Sequence, residues 1–410
     1  MARVNSFEYN ETRRTLILTA GTALALSQQS IASGLCSSGL AQVPSASARV
    51  LRVSAGDPAR SLAATAKAAR DGDTIEIEAG DYRRDVASWP QNDLTLRGVG
   101  GRARLIADGS DAEGKAIFVI KGRRVRIENL EFTGAKVRDR NGAGIRIENG
   151  PITIANCHFV DNENGILAGN IAGVEIDIED SVFVDNGSGD GLTHNLYVGT
   201  IARLSVTGCW LARARIGHLI KSRARESVIQ YNRLSGEQER SSYELEFPSG
   251  GTALVMGNVI QQGPRSENHT IVSFGAEGYR WPENSLTMAF NTLVNDRTQG
   301  GVFVRVAAGA SRVELVDNIL VGKGSLEIDG PFLDRGNIVA APTEFSDPRA
   351  FDYRLRLRSS LVGRAGAWGA NESGKLRPSR EYQYQSGSCP IDRPSPISPL
   401  SPGAFQRLAP

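Results

Sequence analysis

The chain repeats one short pattern along most of its length. An Asn-like position followed by a short apolar segment recurs at similar intervals, the shortest from Asn318 to Asn337 and the longest from Asn258 to Asn291. The full set of these anchor positions is Asn129, Asn156, Asp180, Gly208, Asn232, Asn258, Asn291, Asn318 and Asn337. A repeat of this kind indicates stacked units that share one core, because a single unit cannot bury its own apolar face. The sequence therefore predicts one solenoid rather than several globular domains.

Short alternating segments lie between the anchors and indicate the secondary structure. Residues 125–127, 152–154 and 174–178 alternate apolar and polar side chains, as half-buried strands do. They are too short for helices and too closely spaced for strand–helix–strand units. Each coil is therefore predicted to contain several short strands joined by turns, with the anchor asparagines stacked and hydrogen-bonded along the solenoid.

The opening of the repeat region resembles a known superfamily. Residues 72–75, Gly-Asp-Thr-Ile, and residues 79–82, Ala-Gly-Asp-Tyr, are similar to the start that is common in pectate-lyase-like proteins. The resemblance covers about residues 50–365 and implies an all-β fold, a single-stranded right-handed parallel β-helix. The Ala-rich residues 58–70 predict an N-terminal helix that caps its first coil. The nine anchors and flanking strands predict roughly nine to eleven coils. The superfamily includes lyases, hydrolases, epimerases and non-catalytic proteins, so the resemblance implies no single chemistry.

The first 48 residues resemble an export signal. Arg13 and Arg14 precede an apolar run that ends at Leu26, and residues 46–48, Ala-Ser-Ala, match a cleavage site, as in twin-arginine signals. The apolar run is shorter than the roughly 20 residues that span a bilayer. The mature protein is therefore expected to be periplasmic or secreted, without a membrane anchor.

Composition limits the partners of this chain. Its 410 residues carry a formal net charge of +2, which is too small to indicate a nucleic-acid partner. Any anionic ligand must therefore be held by a local cluster of cations. We expect a monomer with an export signal over residues 1–48, the β-helix over residues 49–345, and a closing segment with a Pro- and Ser-rich tail over residues 346–410.

Two histidines mark the candidate site. His194 precedes the anchor Gly208 by the same interval by which His218 precedes the anchor Asn232, so the two are predicted to stack on neighbouring coils. Alignment of the segments around them with the next coil places three apolar residues inward: Leu196, Ile220 and Leu245. The outward strip predicted from this alignment is Asn195, Tyr197, Lys221, Glu244 and Glu246, flanked by His194 and His218.

This strip has the groups needed for proton abstraction beside a carboxylate. Lyases of uronic-acid polysaccharides need a cation for the substrate carboxylate, a base for the C5 proton and an acid for the leaving oxygen. Lys221 and Arg223 would bind the anionic sugar. Tyr197 or His194 would transfer the proton, and Glu244 would orient a partner. The predicted catalytic residues are His194, Tyr197, Lys221 and Glu244, and the predicted substrate-binding residues are Asn195, His218, Arg223, Arg225 and Glu246.

The sequence thus favours an exported enzyme that cleaves an acidic polysaccharide by β-elimination, and it leaves three alternatives open. The Cα atoms of Glu244 and Glu246 would lie about 6.7 Å apart on one strand face. This spacing is compatible with the separations between the two carboxyl groups of glycoside hydrolases. A uronate epimerase would share the proton abstraction. A non-catalytic protein of glycan binding or export could stack sugar rings on Tyr231, Tyr243, Tyr279 and Trp281.

No cofactor is required by these patterns, although a metal would compete for the same residues. His194, His218 and Glu244 could converge on a transition metal, but they lack a tight ligand motif. Asp185, Asn186 and Asp190 could bind Ca²⁺, and residues of these types also form ordinary turns.

Overall fold

The structure is a computed structural model that describes residues 49–366, 376–382, 390–392, 399–406 and 408. The predicted export signal lies outside these residues. Within them the chain is almost entirely β-structure with a single α-helix, Leu62–Ala68, so the all-β prediction is confirmed. No helix of the described ranges is long and apolar enough to cross a membrane.

Three stacks of parallel strands form the solenoid, and most coils contribute one short strand to each stack. The first stack contains Val125–Glu128, Ile152–Ala155, Glu175–Glu179, Arg203–Thr207, Glu226–Gln230, Thr252–Met256, Ser285–Ala289, Arg312–Val316 and Leu333–Arg335. The second contains Leu130–Thr133, His158–Val160, Val182–Val184, Trp210–Ala212, Arg233–Ser235, Val259–Gln262, Thr292–Asn295, Ile319–Gly322 and Ile338–Ala340. The third contains Ala87–Trp89, Ala116–Ile120, Ala143–Ile147, Asn164–Ala168, Leu196–Val198, Ile220–Ser222, Leu245–Phe247, Thr270–Phe274, Val302–Val306 and Ser325–Ile328. These ten strands of the third stack agree with the predicted nine to eleven coils.

The first coils differ from the rest. Thr74–Arg83 and Thr95–Ile106 each run through the first and second stacks without a break, and Val50–Val53 pairs with the start of the former. The remaining described elements are the antiparallel pairs Phe345–Asp347 with Asp352–Leu355 and Arg380–Tyr382 with Pro390–Asp392, and the 3₁₀ helices Pro58–Arg60, Pro342–Glu344 and Pro348–Ala350.

A short helix covers the first coil. The predicted helix over residues 58–70 is divided into a 3₁₀ turn and the α-helix Leu62–Ala68. The division falls at Ser61, which has an extended backbone and caps the α-helix by accepting from the Ala64 N–H at 3.1 Å. Leu62 and Ala66 are buried in the core of the solenoid, so the helix shields the apolar end of the stack.

A sharp bend separates the first stack from the second, and it uses two consecutive residues in each coil. The first has a positive φ, at Asn129, Asn156, Asp180, Gly208, Tyr231, Gly257, Phe290, Asp317 and Gly336. The second is buried or part-buried and forms a column of Leu130, Cys157, Ser181, Cys209, Asn232, Asn258, Asn291, Asn318 and Asn337. The predicted row of anchors is therefore wrong for its first four members: Asn129, Asn156, Asp180 and Gly208. Each of these occupies the left-handed position, one residue before the buried column. Asn and Asp suit both the left-handed position and a stack of hydrogen-bonded side chains, whereas Gly suits the left-handed position alone. The two columns therefore look alike in the sequence.

The later part of the column is an asparagine ladder. The Asn258 backbone N–H and side-chain Nδ2 both donate to Asn291 Oδ1 at 3.0 Å, and Nδ2 also donates to the Ile229 carbonyl at 2.8 Å. The same pattern links Asn232, Asn258, Asn291, Asn318 and Asn337. Because buried amides and carbonyls must be paired, the ladder holds the bend of each coil against the next.

The interior of the early coils is filled by aromatic rings. Ring centroids of Phe132 and Phe159 are 5.2 Å apart, and those of Phe159 and Phe183 are 4.5 Å apart, both in stacked geometry. Burial of each such side chain stabilises the fold by about 1.5–3 kcal/mol. Tail residues pack elsewhere, against the outer faces of the later coils: Ala404 N–H donates to Thr292 Oγ1 at 3.1 Å, and Phe405 joins a cluster with Ile319.

Candidate functional site

The outward face of the third stack carries the candidate site. Strand pairing aligns Tyr197 with Lys221, and Lys221 with Glu246, on three successive coils. The residues just before them are fully buried in the core: Leu196, Ile220 and Leu245. The predicted register of these strands is therefore confirmed.

His194 and His218 lie just before two neighbouring strands, with ring centroids 4.5 Å apart. The two coils approach closely there, and a Cβ at Gly217 would collide with the Thr193 carbonyl oxygen, so only glycine fits. This close approach lets the His218 backbone N–H donate to His194 Nδ1 at 3.1 Å. The predicted stacking of the two histidines is present in the structure.

The hydrogen bond to Nδ1 decides the state of His194. A neutral imidazole that accepts at Nδ1 carries its hydrogen on Nε2. Burial, and then the nearby His218, Lys221 and Arg223, hold the pKa of His194 well below its usual range. His194 is therefore neutral at physiological pH, and its free ring atom is a donor.

Glu246 is the centre of a second group of contacts. Its Oε2 lies 2.8 Å from His218 Nε2 and 2.9 Å from Lys221 Nζ. Burial raises the pKa of Glu246, but the contacts with His218 and Lys221 outweigh it and leave the pKa below its usual value. Burial lowers the pKa of His218 despite the carboxylate beside it. At neutral pH an ionised Glu246 therefore lies beside a neutral His218, with Lys221 Nζ against the same carboxylate oxygen.

Arg223 connects this group to Tyr197. Its Nε donates to the Tyr197 hydroxyl oxygen at 3.2 Å, and its Nη1 donates to Ser249 Oγ at 3.2 Å. Glu277 receives two further hydrogen bonds from the same guanidinium, at 2.6 and 2.9 Å. A fixed cation therefore faces the phenol oxygen of Tyr197.

Glu277 is the residue that the sequence analysis missed. It lies in the loop after the strand Thr270–Phe274, and this loop accounts for the longest repeat step, between Asn258 and Asn291. An insertion of this kind after a third-stack strand has to lie near the ends of those strands, next to Arg223. The long interval between the anchors Asn258 and Asn291 therefore indicates that a loop is present. It does not indicate which residue of the loop reaches the site.

Two predicted site residues do not belong to the outward strip. Asn195 and Glu244 are fully buried. Asn195 Oδ1 accepts from Asn186 Nδ2 at 2.8 Å, and its Nδ2 donates to the Ala212 carbonyl at 2.9 Å. The prediction that both face outward is wrong, because the strands begin only at Leu196 and Leu245 and strict alternation does not extend into the preceding bend.

Glu244 lies inside the corner of its coil. Ser241 Oγ donates to Glu244 Oε1 at 3.1 Å and Gln262 Nε2 donates to Oε2 at 3.2 Å. Burial raises the pKa of Glu244 well above its usual range and so favours the protonated acid in the folded state. Glu244 and Glu246 consequently do not share the strand face that the hydrolase alternative requires.

The other candidates are scattered. Arg225 is exposed at the bend into the first stack, with no side-chain contact to this site among the described residues. The aromatic candidates share no face: Tyr231 is buried below the tail, Tyr243 packs on His218, and Tyr279 and Trp281 lie in the Glu277 loop.

The residues that could bind Ca²⁺ have other partners. Asp185 pairs with Arg213 at 2.8 and 2.9 Å, Asn186 donates into the interior, and Asp190 accepts from the Leu192 N–H at 3.0 Å. Across the described ranges, no group of three or more His, Cys, Asp and Glu side chains is arranged to hold a metal ion. These residues therefore do not fit a calcium site.

Comparison with known proteins supports the fold. No protein-family model matches the sequence, and no curated protein sequence does. The crystal structure of pectate lyase Pel9A superposes with a TM-score of 0.58 over 88% of this chain and 96% of that chain, at 15% identity. A PL6 alginate lyase complex with trisaccharide has a lower TM-score of 0.40 at 14% identity, over 69% of this chain and 61% of that chain. Geobacillus virus E2 ORF18 has a TM-score of 0.38 at 14% identity, over 72% of this chain and 62% of that chain. The chain therefore has the pectate-lyase-like right-handed parallel β-helix fold that its sequence resembles.

Proposed function

We propose that this protein is a polysaccharide lyase that cleaves an acidic polysaccharide by β-elimination on the outward face of the third stack. The observation that carries the proposal is the 3.2 Å contact of Arg223 Nε with the Tyr197 hydroxyl oxygen, one coil from Lys221. It combines a group that can accept a proton with the cations that a uronate carboxylate needs. The fold shared with a pectate lyase agrees with this function.

Tyr197 is the proposed base. It takes the C5 proton of a uronate, the electron pair of the C5–H bond forms the C4–C5 double bond, and the C4–O bond to the leaving sugar breaks. The departing oxygen takes up a proton from Tyr197 or from water. Negative charge that develops on the uronate carboxylate during this step is stabilised by Arg223 and Lys221, which are already fixed in place.

His194 has a different role from the proton transfer predicted for it. Its Nδ1 lone pair is engaged by the His218 N–H, so the neutral ring offers only an Nε2–H donor. A neutral imidazole N–H is too weak an acid to protonate a leaving group. We therefore assign His194 to hydrogen bonding with the sugar, and Glu246, rather than Glu244, to orienting Lys221 and His218.

Hydrolysis is less well supported by the same geometry. A glycoside hydrolase needs one protonated carboxyl group beside one ionised carboxylate, both open to the sugar. The outward carboxylates are Glu246 and Glu277, and both have pKa values below their usual range, Glu277 at about 2 because of Arg223 and Lys221. The protonated acid, Glu244, is enclosed in the core.

The test is to incubate the mature protein with a panel of acidic polysaccharides that includes pectate and alginate. Ultraviolet absorbance from unsaturated ends and reducing-sugar release should rise together on at least one polymer. Reducing ends alone would indicate a hydrolase. If neither signal appears but C5 protons exchange with deuterium from the solvent, the protein is an epimerase, and the absence of all three would overturn an enzymatic role.

Export is a separate proposal that rests on the sequence alone. We propose that the paired Arg13 and Arg14 direct the chain through a twin-arginine pathway. Replacing both with Lys should leave the precursor in the cytoplasm, which fractionation of cells would detect. Unchanged export of this variant would contradict the proposal.

A further inference from the structure

The loop between Thr270–Phe274 and Ser285–Ala289 holds a carboxylate on the two cations of the site. Glu277 Oε2 accepts from Arg223 Nη1 at 2.6 Å, and Glu277 Oε1 accepts from Arg223 Nη2 at 2.9 Å. Lys221 Nζ lies 3.3 Å from the same Oε1. Two parallel hydrogen bonds from one guanidinium are the geometry in which arginine recognises a carboxylate of any origin.

Glu277 is the exposed member of this group. Its side chain is 46% exposed, whereas those of Lys221 and Arg223 are 13% and 15% exposed. A ligand that approaches the sheet face therefore meets Glu277 before it meets either cation. The Glu277 side chain has no other partner in the described part of the chain, so the two cations alone hold it in this position.

The loop backbone is fixed independently of that carboxylate. Glu277 N–H donates to the Pro248 carbonyl at 2.9 Å, Arg280 N–H donates to the Ser249 carbonyl at 3.0 Å, and Tyr279 donates to the Ala307 carbonyl at 2.6 Å. Removal of the carboxylate from Arg223 thus needs rotation of one side chain and no movement of the loop.

We propose that Glu277 is an internal ligand that determines the specificity of this site. Its carboxylate occupies the position of a substrate carboxylate on Arg223 and Lys221, and an acidic sugar binds by displacing it. Lys221 keeps Glu246 as a partner after the exchange, so Arg223 is the cation that becomes free for the ligand. The identity of the ligand as an acidic sugar rests on the proposed function, whereas the displacement itself does not.

This arrangement selects against small anions. When a ligand carboxylate replaces that of Glu277, Arg223 still faces one negative charge. The Glu277 carboxylate competes with the ligand at an effective concentration of the order of millimolar or higher, because it is tethered to the same chain. A single carboxylate therefore gains little by binding. A polymer that also contacts neighbouring coils can displace Glu277, and the site consequently prefers long acidic chains to their monomers.

The experiment uses sulfate as the probe and compares the wild type with Glu277→Gln. Sulfate binding is measured by calorimetry and by the rise in melting temperature at constant ionic strength. We expect the variant to bind sulfate about tenfold more tightly or better, because the tethered competitor is gone. The gain should disappear when Arg223→Gln is added. Circular dichroism checks the fold, and Glu277→Ala provides a second variant of the same kind.

The chain offers a matched control. Glu327 pairs with Arg305 at 2.6 Å on the same outward face and is 47% exposed, so Glu327→Gln removes an equivalent charge away from the site. Unchanged or weaker sulfate binding by Glu277→Gln would overturn the proposal and make Glu277 a structural tie for Arg223. An equal gain in Glu327→Gln would also overturn it, since the effect would then be one of net charge. If sulfate binding increases as expected while no polysaccharide yields unsaturated ends, the proposed lyase activity is wrong and the role of Glu277 as an internal ligand is supported.

Discussion

Glu244 and Glu246 are close neighbours in the sequence, yet they lie in opposite environments. Glu244 is enclosed in the corner of its coil, where burial raises its pKa and favours the protonated acid. Glu246 faces outward between His218 and Lys221, which outweigh burial and keep it ionised. The difference separates two uses of polar residues in this solenoid: those inside the bends hold coils together, and those on the third-stack face form the candidate site.

Asn195 and Tyr197 repeat the same contrast two coils earlier. Asn195 is engaged with Asn186 and the Ala212 carbonyl in the interior, whereas Tyr197 meets Arg223 on the surface. Substitutions on the two sides should consequently separate into effects on turnover and effects on stability.

The largest effect is expected from Tyr197→Phe. Loss of a proton-transfer group typically lowers the rate by about 10² to 10⁴, and the ring that packs beside His194 is retained. Turnover should be measured on whichever polymer the panel identifies, with melting temperature as the check on folding. Tyr231→Phe is the matched control, since its hydroxyl accepts from the Ser379 N–H away from the site. Near-wild-type turnover of Tyr197→Phe would remove Tyr197 from the chemistry.

Asn195→Ala should act on stability instead. It removes one of the two acceptors of the Asn186 amide, which keeps the Phe159 carbonyl, and it removes the Asn195 donor from the buried Ala212 carbonyl; each lost hydrogen bond of this kind costs about 1–3 kcal/mol. We expect the free energy of unfolding in urea to fall by about 2–4 kcal/mol, with KM unchanged at temperatures where the variant is folded. A stable variant with a raised KM would show that Asn195 binds substrate, as the sequence alone suggested.

A smaller effect follows from the proton on Glu244. Because burial raises its folded pKa, the native state holds a proton that the unfolded chain loses near the ordinary value of 4.5. The proton's contribution to the free energy of unfolding is complete below the unfolded pKa and is lost as pH rises towards the folded pKa. Over that range the free energy of unfolding falls by at most about 1.4 kcal/mol per pH unit. Glu244→Gln should remove that slope, since an amide at this position does not titrate. Urea unfolding of both proteins at several pH values above 5 measures the difference, and identical slopes would contradict a buried neutral acid.

The fold was predictable because its signal is repeated in every coil. The ladder asparagines and the alternating segments recur often enough that errors at Asn129, Asn156, Asp180 and Gly208 shift the repeat by one residue without obscuring it. The register of Tyr197, Lys221 and Glu246 followed from the same repetition, since apolar residues at the inward position fix the outward row.

The site was only partly predictable because its remaining parts depend on departures from the repeat. Asn195 and Glu244 precede their strands, in bends where alternation no longer determines the direction of a side chain. Glu277 comes from an insertion whose path depends on hydrogen bonds to Pro248 and Ser249, which no local pattern encodes. Protonation likewise depends on burial and on neighbouring charges. Glu244 and Glu246 belong to one coil, yet the pKa of Glu244 is raised and that of Glu246 is lowered.

The most direct test of the central claim measures the initial rate of unsaturated-end formation by Glu246→Gln and Glu244→Gln under identical conditions. Glu246→Gln should lose roughly 10- to 100-fold, because Lys221 and His218 lose the charge that holds them in place, as removal of a positioning contact does. Glu244→Gln should retain its rate within about threefold, since its side chain never reaches the sugar. The opposite result, an inactive Glu244→Gln beside an active Glu246→Gln, would contradict the assignment of the active site to the outward face of the third stack.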